Sequence, residues 1–266
     1  MGTKTHFYKV VVCLYFLGLS PALADEALAS LHFIGRYDFN WSGVALGALT
    51  LAIDEDGDVY KMRLVVKSEG IVNLFTHHVD DTIAGGERNG SAYLPQYYET
   101  YYKTKKKPRH VKLAFDDKGA VVEELNVPPE DRSDRPEVPH SLKDGAYDPL
   151  SLLMVVRGGA RDIKGFDAKR LYAVKVQEKG RDTLYVEGKW RKVTIFSLSR
   201  TPLGGLTAKE MKEYKKGEPP LTVYFSNDAQ RIPLAVEVPI MFGEVTGVLV
   251  KECKAWAECG LEVDAK

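Results

Sequence analysis

VALGALTLAIDEDGDVYKMRLVVKS, residues 44–68, decides the fold class of this chain. In its first half Val44, Leu46 and Ala48 share one parity, an alternation typical of a strand with one buried face. Acidic residues around Gly57 then provide turn chemistry, and a second run of β-branched and aromatic residues follows. The stretch therefore predicts an antiparallel hairpin.

Similar runs, separated by turn residues, recur at near-regular spacing along the chain. The strands predicted from them cover residues 32–41, 44–53, 59–68, 77–84, 93–104, 109–115, 120–127, 170–178, 182–186, 192–199, 221–226, 232–238 and 244–253. Gly85-Gly86 is expected to close the fourth strand, and EKGRD (178–182) is expected to be a turn. The pattern predicts a mainly β protein, an antiparallel curved sheet forming an open barrel or sandwich of about ten to thirteen strands with one or two short helices.

The segment DPLSLLMVVRGG predicts a helix. Asp148 can cap its first turn, Pro149 suits the first helical position and Gly158 can end it. Residues 208–215 are expected to form a short helix or an irregular strand. The proline-rich, charged residues 128–147 are expected to form one long exposed loop, not a domain boundary.

Residues 1–24 have the features of a secretory signal peptide. A short basic region precedes an uncharged apolar run at residues 10–19, and a small-x-small pattern ending at Ala24 favours cleavage before Asp25. The run is shorter than the roughly 20 residues of a spanning helix, although an uncleaved anchor is the alternative. The mature chain, residues 25–266, is therefore expected to be a single β-rich domain that works outside the cytoplasm and does not span the membrane.

The charge balance argues against nucleic acid as a partner. Two of the 37 basic residues lie in the signal peptide, so 35 basic side chains face 37 acidic ones in the mature chain, a formal charge of −2. A nucleic-acid-binding domain is usually strongly basic. No motif indicates a cofactor.

Two cysteines, Cys253 and Cys259, remain after cleavage. In an oxidising compartment, two cysteines at this spacing predict a local disulfide. A metal pair or two free thiols are the alternatives, but a metal would need further ligands and none stands nearby in the sequence.

The sequence HHVDD contains the most ligand-like cluster. In a strand, His78 and Asp80 would share one face, and His77 and Asp81 the other, so at most two of the side chains converge. We therefore predict no metal site. No GxSxG motif is present and no cysteine is left over after disulfide formation, so we predict no catalytic residue.

An aromatic and basic segment gives the candidate ligand site. Tyr97 and Tyr101 are expected to share one strand face, and Lys105 and Arg109 follow in a basic hairpin. Tyrosine beside lysine at the rim of a barrel would suit an amphiphile, with the chain inside and the headgroup at the mouth. Ordinary cross-strand aromatic pairs and a solvated hairpin tip are the alternatives.

Several longer segments together resemble a known family. They are GVALGALTLAIDEDGDVYKMRLVVKSEG, DPLSLLMVVR, TPLGGLTAKEM, VYFSNDAQRIPLAVEV and FGEVTGVLV, in this order. The chain resembles the proteobacterial envelope family known as domain of unknown function 3108. The second glycine of TPLGG and the long basic hairpin are local departures from it. The resemblance implies a periplasmic setting and an antiparallel β-rich fold, with no known reaction or ligand.

The matching polar residues are expected to serve folding. Asp228 suits a turn, Pro233 the start of a strand, and Asp148, in the matching run Asp148-Pro149-Leu150-Ser151, a helix cap. Arg231 could pair with an acid across the sheet or hold an anion; we favour the structural role.

These observations lead to three hypotheses. The first is a non-enzymatic periplasmic protein that binds a lipid-like or amphipathic envelope molecule in a curved sheet with a Leu, Val, Ile and Phe interior. The second is an envelope scaffold or assembly factor that holds protein partners through sheet edges and residues 128–147. The third is a hydrolase in which the HHVDD side chains converge with a third group in a cleft.

Overall fold

The computed structural model describes residues 28–69, 73, 77–104, 108–240, 243–259 and 261. Among them, fourteen strands form one hydrogen-bonded sheet. The strands are β1 His32–Trp41, β2 Val44–Asp56, β3 Val59–Ser68, β4 Val79–Asn89, β5 Ala92–Lys103, β6 Arg109–Phe115, β7 Val121–Val127, β8 Ala146–Tyr147, β9 Asp162–Phe166, β10 Leu171–Val186, β11 Lys189–Gly204, β12 Leu221–Ser226, β13 Pro233–Ile240 and β14 Gly243–Glu252. The helices are α1 Pro149–Arg157 and α2 Ala208–Tyr214, with short 3₁₀ turns at His140–Leu142 and Trp256–Cys259. The predicted signal peptide, its cleavage point at Ala24 and Asp25, and Lys105 lie outside the described residues.

No helix in the described ranges has both the length and the apolar character needed to cross a membrane.

The sheet is an antiparallel meander that is joined through its two ends. Its strand order is β7-β6-β5-β4-β3-β2-β1-β14-β13-β12-β11-β10-β9-β8, so the first strand pairs with the last. Only the short β8 runs parallel to its neighbour, with α1 as the connection. The outer strands β7 and β8 do not pair with each other. Between them, Nζ of Lys143, which precedes β8, lies 2.5 Å from Glu124 of β7. The predicted mainly β, curved antiparallel sheet is confirmed as an open barrel, with slightly more strands than expected.

Three local expectations were wrong. Gly85 and Gly86 do not end β4; they lie inside it at an irregularity in the register, where a side chain on Gly86 would come within 2.0 Å of Leu94 O. EKGRD is no turn either, because β10 continues through it with a register shift between Glu178 and Gly180. The short strands β8 and β9 were missed. β8 has two residues and pairs with β9 in parallel across α1, and β9 has only five residues, too few to show a clear alternation.

Helix α1 fills the interior of the barrel. Asp148 accepts hydrogen bonds from the N–H groups of Leu150 and Ser151, and Gly158 follows the last turn, as the sequence predicts. Met154 packs in the larger core, which takes side chains from both halves of the sheet, whereas Val156 packs in a smaller core against β10–β12. The helix therefore contributes buried side chains to both cores.

A buried ionic network holds the C-terminal end of α1. Arg157 Nη1 donates to Glu55 Oε1 at 2.9 Å, and both side chains are fully buried. The same carboxylate accepts from Tyr93 Oη at 2.7 Å and from the N–H of Leu31 at 2.7 Å. Arg157 also donates to Ala29 O and Gln230 O, so it ties the start of the described chain to the centre of the fold.

Arg231 supports the same helix end. Its Nη1 donates to Arg157 O at 2.9 Å, and its backbone N–H donates to Asp228 Oδ1 in the preceding turn. Pro233 begins β13 as expected.

The loop at residues 128–147 is more ordered than its composition indicated. Arg135 donates to both carboxylate oxygens of Glu210 on α2, at 2.8 and 2.9 Å, and to Gly205 O at 2.6 Å. Val138 is buried against the core. The loop is therefore packed on the fold and not simply exposed. The local sequence does not indicate this, because Glu210, the ion-pair partner of Arg135, lies 75 residues further along the chain.

The predicted disulfide between Cys253 and Cys259 is present, with a Cα–Cα distance of 6.0 Å. It closes the turn that follows β14.

Candidate functional site

The tyrosines and the arginine of the predicted ligand site do not form one site. Tyr101 pairs with His110 across the sheet, and their rings stack with centroids 4.0 Å apart. Arg109, next to His110, points to the opposite face and pairs with Glu130 at 2.9 Å. The Tyr97 ring covers Gly85, where an added methyl group would lie 2.6 Å from the tyrosine hydroxyl.

The HHVDD side chains are also separated. Asp81 forms a bidentate pair with Arg63, at 3.0 and 2.9 Å, while Asp80 accepts from Thr82 and Thr100. Within the ranges that the structure describes, no three His, Cys, Asp or Glu side chains converge.

The cavity with the most suitable lining lies instead between α1 and the face of β9–β12 that α1 covers. α1 begins at the end of the barrel where the turn between β9 and β10 lies, which we call the upper end. There, a recess of about 330 Å³ opens between the first turns of α1 and the sheet. We call it the inner recess; its apolar lining residues are Pro149, Leu152, Phe166, Val174, Leu198 and Leu221.

The inner recess adjoins a wider groove of about 780 Å³, the outer groove, because Tyr172 and Arg200 line both. The outer groove runs between the β10–β11 hairpin and α2. Its lining combines apolar side chains with many charged ones, including Arg170, Lys209 and Lys216. Both volumes fall within the range of ordinary ligand sites.

Ion pairs fix the shape of the outer groove, which is the mouth of the site. Thr207 caps α2 through a reciprocal pair of hydrogen bonds with Glu210. Glu210 also receives the bidentate pair from Arg135, and these contacts lower the pKa of its carboxyl to about 2, so it stays ionised. Arg200 lies over the Tyr172 ring, 5.2 Å from its centroid, and pairs with Glu218. In the described part of the chain, Lys209 forms no ion pair.

A buried carboxylate lies just behind the recess. Asp148 is fully buried, and its Oδ2 has no hydrogen-bond partner among the described residues. Burial raises the pKa of Asp148 to about 6, because the Ser151 side chain and the backbone amides of Ser151 and Leu150 offset only part of the desolvation. Beside it, Tyr60 Oη and Ser151 Oγ form a hydrogen bond of 2.7 Å.

Replacing Asp148 by asparagine is expected to remove a destabilising effect of neutral pH. The folded-state pKa lies above the unfolded value of 3.8. Folding therefore takes up a proton between these values, and stability falls as the pH rises from about 4 to 6. Over that window, Asp148→Asn should gain about 3 kcal/mol relative to the wild type, since asparagine still caps the helix.

Urea unfolding at pH 4, 5, 6 and 7 measures this difference. The exposed Asp117→Asn serves as the control and should run parallel to the wild type. A pH-independent difference for Asp148→Asn would contradict the assignment.

The inner recess and the outer groove together form a cleft, and sequence reasoning missed the residues that line it. Tyr172, Arg200 and Leu221 lie on three strands whose alternation indicates burial but not a shared cavity. One signal was available, because two segments that carry the family resemblance, residues 148–157 and 201–211, both contribute to the cleft walls.

Comparisons with known proteins find one family model and a similar solved structure. A family model described as "Protein of unknown function (DUF3108)" matches residues 36–250. Among solved structures, the chain is similar to the crystal structure of a β-barrel-like protein of domain of unknown function DUF1849 from Brucella abortus. The identity is 13% and the TM-score 0.49, over 84% of this chain and 98% of that one. No curated protein matches the sequence.

Proposed function

This chain belongs to the DUF3108 family of proteins of unknown function, and we propose that it binds an amphipathic, lipid-like molecule of the cell envelope without chemically changing it. The observation that carries this proposal is that an apolar recess and a charged groove lie side by side at one end of the barrel and share Tyr172 and Arg200. An amphiphile needs this combination, because its apolar chain must leave water while its headgroup stays hydrated or paired.

The inner recess is the site for the apolar part of the ligand. Leu152, Leu198 and Leu221 offer it side chains without polar atoms, and the flat ring of Tyr172 lies at the boundary with the outer groove. The headgroup would then lie near Arg200 and Lys209, whose cations can contact an anionic or zwitterionic group. The ligand site that we propose is therefore this one and not the β5–β6 hairpin.

Filling the inner recess is expected to abolish ligand binding. Leu221 is half-buried at the start of β12, and Leu221→Trp would occupy space in the recess while keeping a residue that strands tolerate. We expect the affinity for a fluorescent C16 fatty acid to fall at least tenfold, a loss of about 1.4 kcal/mol or more.

Leu203→Trp is the matched control, because Leu203 is exposed on the neighbouring β11 and does not line the recess. Fluorescence titration gives both affinities, and native mass spectrometry of the isolated protein reports any lipid that copurifies. Equal affinities for the two variants, or no binding by the wild type, would overturn the proposal.

We also propose that the protein works in the periplasm after cleavage of residues 1–24. The basic and apolar pattern of these residues and the Cys253–Cys259 disulfide support this location. Cell fractionation and N-terminal sequencing of the mature chain, expected to begin at Asp25, provide the test.

Protein binding is the second candidate function, and β7 is the observation that favours it. Among the described residues no strand pairs with its outer edge, and Val122, Leu125 and Val127 are exposed along it. An extended segment of a partner could add to such an edge. Crosslinking from position 122 in cells would capture this partner, whereas variants of the inner recess would leave the crosslink unchanged.

A further inference from the structure

The hairpin of β10 and β11 extends well beyond its neighbours. Each strand has 16 residues, but β9 covers only Leu171–Lys175 and β12 covers only Val193–Leu198. The distal part of the hairpin, residues 181–192, is therefore held by its own pairing and by one face. On that face Val186 is buried in the core, and Arg191 pairs with Glu187 and Glu252.

The other face of the distal hairpin carries exposed aromatic side chains. Tyr185 pairs with Trp190 across the hairpin, and the rings make an edge contact with centroids 5.4 Å apart. Trp190 is 71% exposed and Tyr185 is 56% exposed. Leaving two large rings in water is costly, and a rigid hairpin holds them outward.

Cations flank these rings on the same face. Thr183 lies opposite Lys192, and Arg181 lies opposite Thr194, so both cations share the outward face with the aromatic pair. Neither Arg181 nor Lys192 forms an ion pair with any carboxylate that the structure describes. The nearby Asp182 lies opposite the buried Val193, so its side chain projects from the other face of the hairpin. We call these four residues, Arg181, Tyr185, Trp190 and Lys192, the hairpin patch.

We propose that the hairpin patch docks the protein on the surface of an anionic phospholipid bilayer. Tryptophan and tyrosine favour the boundary between headgroups and acyl chains, because their rings are apolar and their edges carry a hydrogen-bonding group. Unpaired lysine and arginine beside them are attracted to anionic headgroups. A small patch of this kind gives reversible, peripheral binding and not insertion. A neutral polysaccharide could stack on the rings but would leave the two cations without a partner.

The hairpin patch lies at the end of the barrel opposite to the mouth of the cleft. The turn at Glu187-Gly188 and the turn at residues 167–170 are at opposite ends of β10. A protein docked through the patch would hold its cleft mouth away from the bilayer, accessible to a soluble partner or to a second membrane. This docking does not depend on occupancy of the cleft.

Vesicle cosedimentation with the mature chain tests the proposal. We expect binding to phosphatidylcholine vesicles that contain 30% phosphatidylglycerol, and little binding to pure phosphatidylcholine. We expect Arg181→Glu/Lys192→Glu to lower partitioning at least tenfold, since each cation contributes roughly fivefold. We expect a loss of at least tenfold also for Tyr185→Ser/Trp190→Ser, because this variant removes both rings from the bilayer boundary. Lys61→Glu/Lys118→Glu makes the same charge change elsewhere on the surface and should retain most of the binding.

The Leu221→Trp variant separates docking from ligand uptake and should bind the vesicles like the wild type. Circular dichroism verifies the fold of each variant, which should be unchanged because all four residues of the patch are exposed. Binding that ignores the lipid charge, or that survives both patch variants, would overturn the proposal. So would Trp190-dependent retention on insoluble peptidoglycan in the absence of vesicle binding, which would instead indicate a glycan site.

Discussion

Arg157→Met is expected to lower the free energy of unfolding by about 3–5 kcal/mol. The substitution keeps most of the side-chain volume but leaves the carboxylate of Glu55 buried without its closest cation. The remaining contacts are the hydrogen bonds from Tyr93 and Leu31 and the more distant Arg88, 3.5 Å away. Since domains are typically stable by about 5–15 kcal/mol, this loss would be a large fraction of the total.

Urea unfolding followed by circular dichroism measures the effect. Arg161→Met is the matched control, because Arg161 is 56% exposed and lies 3.8 Å from Glu178, so its loss should cost less than about 1 kcal/mol. Adding Glu55→Gln to Arg157→Met should recover part of the stability by removing the unpaired charge. A loss for Arg157→Met as small as that of the control would show that the network does not hold the helix.

Gly205→Ala is the second substitution with a large expected effect, a loss of about 2–5 kcal/mol. Gly205 has φ +77°, where a residue with a β-carbon costs about 1–2 kcal/mol. In addition, the new methyl group would lie 1.9 Å from Lys169 O, and this overlap with backbone atoms costs about 1–3 kcal/mol to relieve. The second glycine of TPLGG, a departure from the family pattern, thus has a steric reason in this chain.

The adjacent glycine provides the control. A methyl group on Gly204 would meet only the Val138 side chain, at 3.6 Å, which is ordinary contact. Gly204→Ala should therefore change the unfolding free energy by less than about 1 kcal/mol. Thermal and urea unfolding of the two variants side by side settle the comparison, and similar losses at both positions would refute the steric explanation. Because Gly205 precedes α2, only Gly205→Ala should also weaken fatty-acid binding.

Local features of the fold could be predicted well. Alternation and turn residues placed the β2–β3 hairpin, and the order Asp148, Pro149, Gly158 placed both ends of α1. These predictions succeed because strand alternation, capping and turn geometry depend on residues a few positions apart. The register irregularities at Gly86 and Gly180 could not be predicted in this way, since they depend on the partner strand.

The candidate site was beyond local prediction. The sequence favours a ligand site at the aromatic and basic residues of the β5–β6 hairpin, but Tyr101 and Arg109 face opposite sides of the sheet. The cleft assembles from residues near positions 150, 172, 200 and 221, none of which stands out in its own segment. A recess forms there because α1 packs over the face that these strands share.

The sequence by itself determined the class of the fold, the ends of its central helix, its disulfide and its family, because each depends on short-range pattern or on similarity along the chain. The tertiary structure alone decided which strands meet, where the barrel stays open and where a ligand could bind. Those features rest on contacts such as Glu55 with Arg157, 102 residues apart. Whether such contacts form depends on the free energy of burying both partners together, which no local stretch of sequence contains.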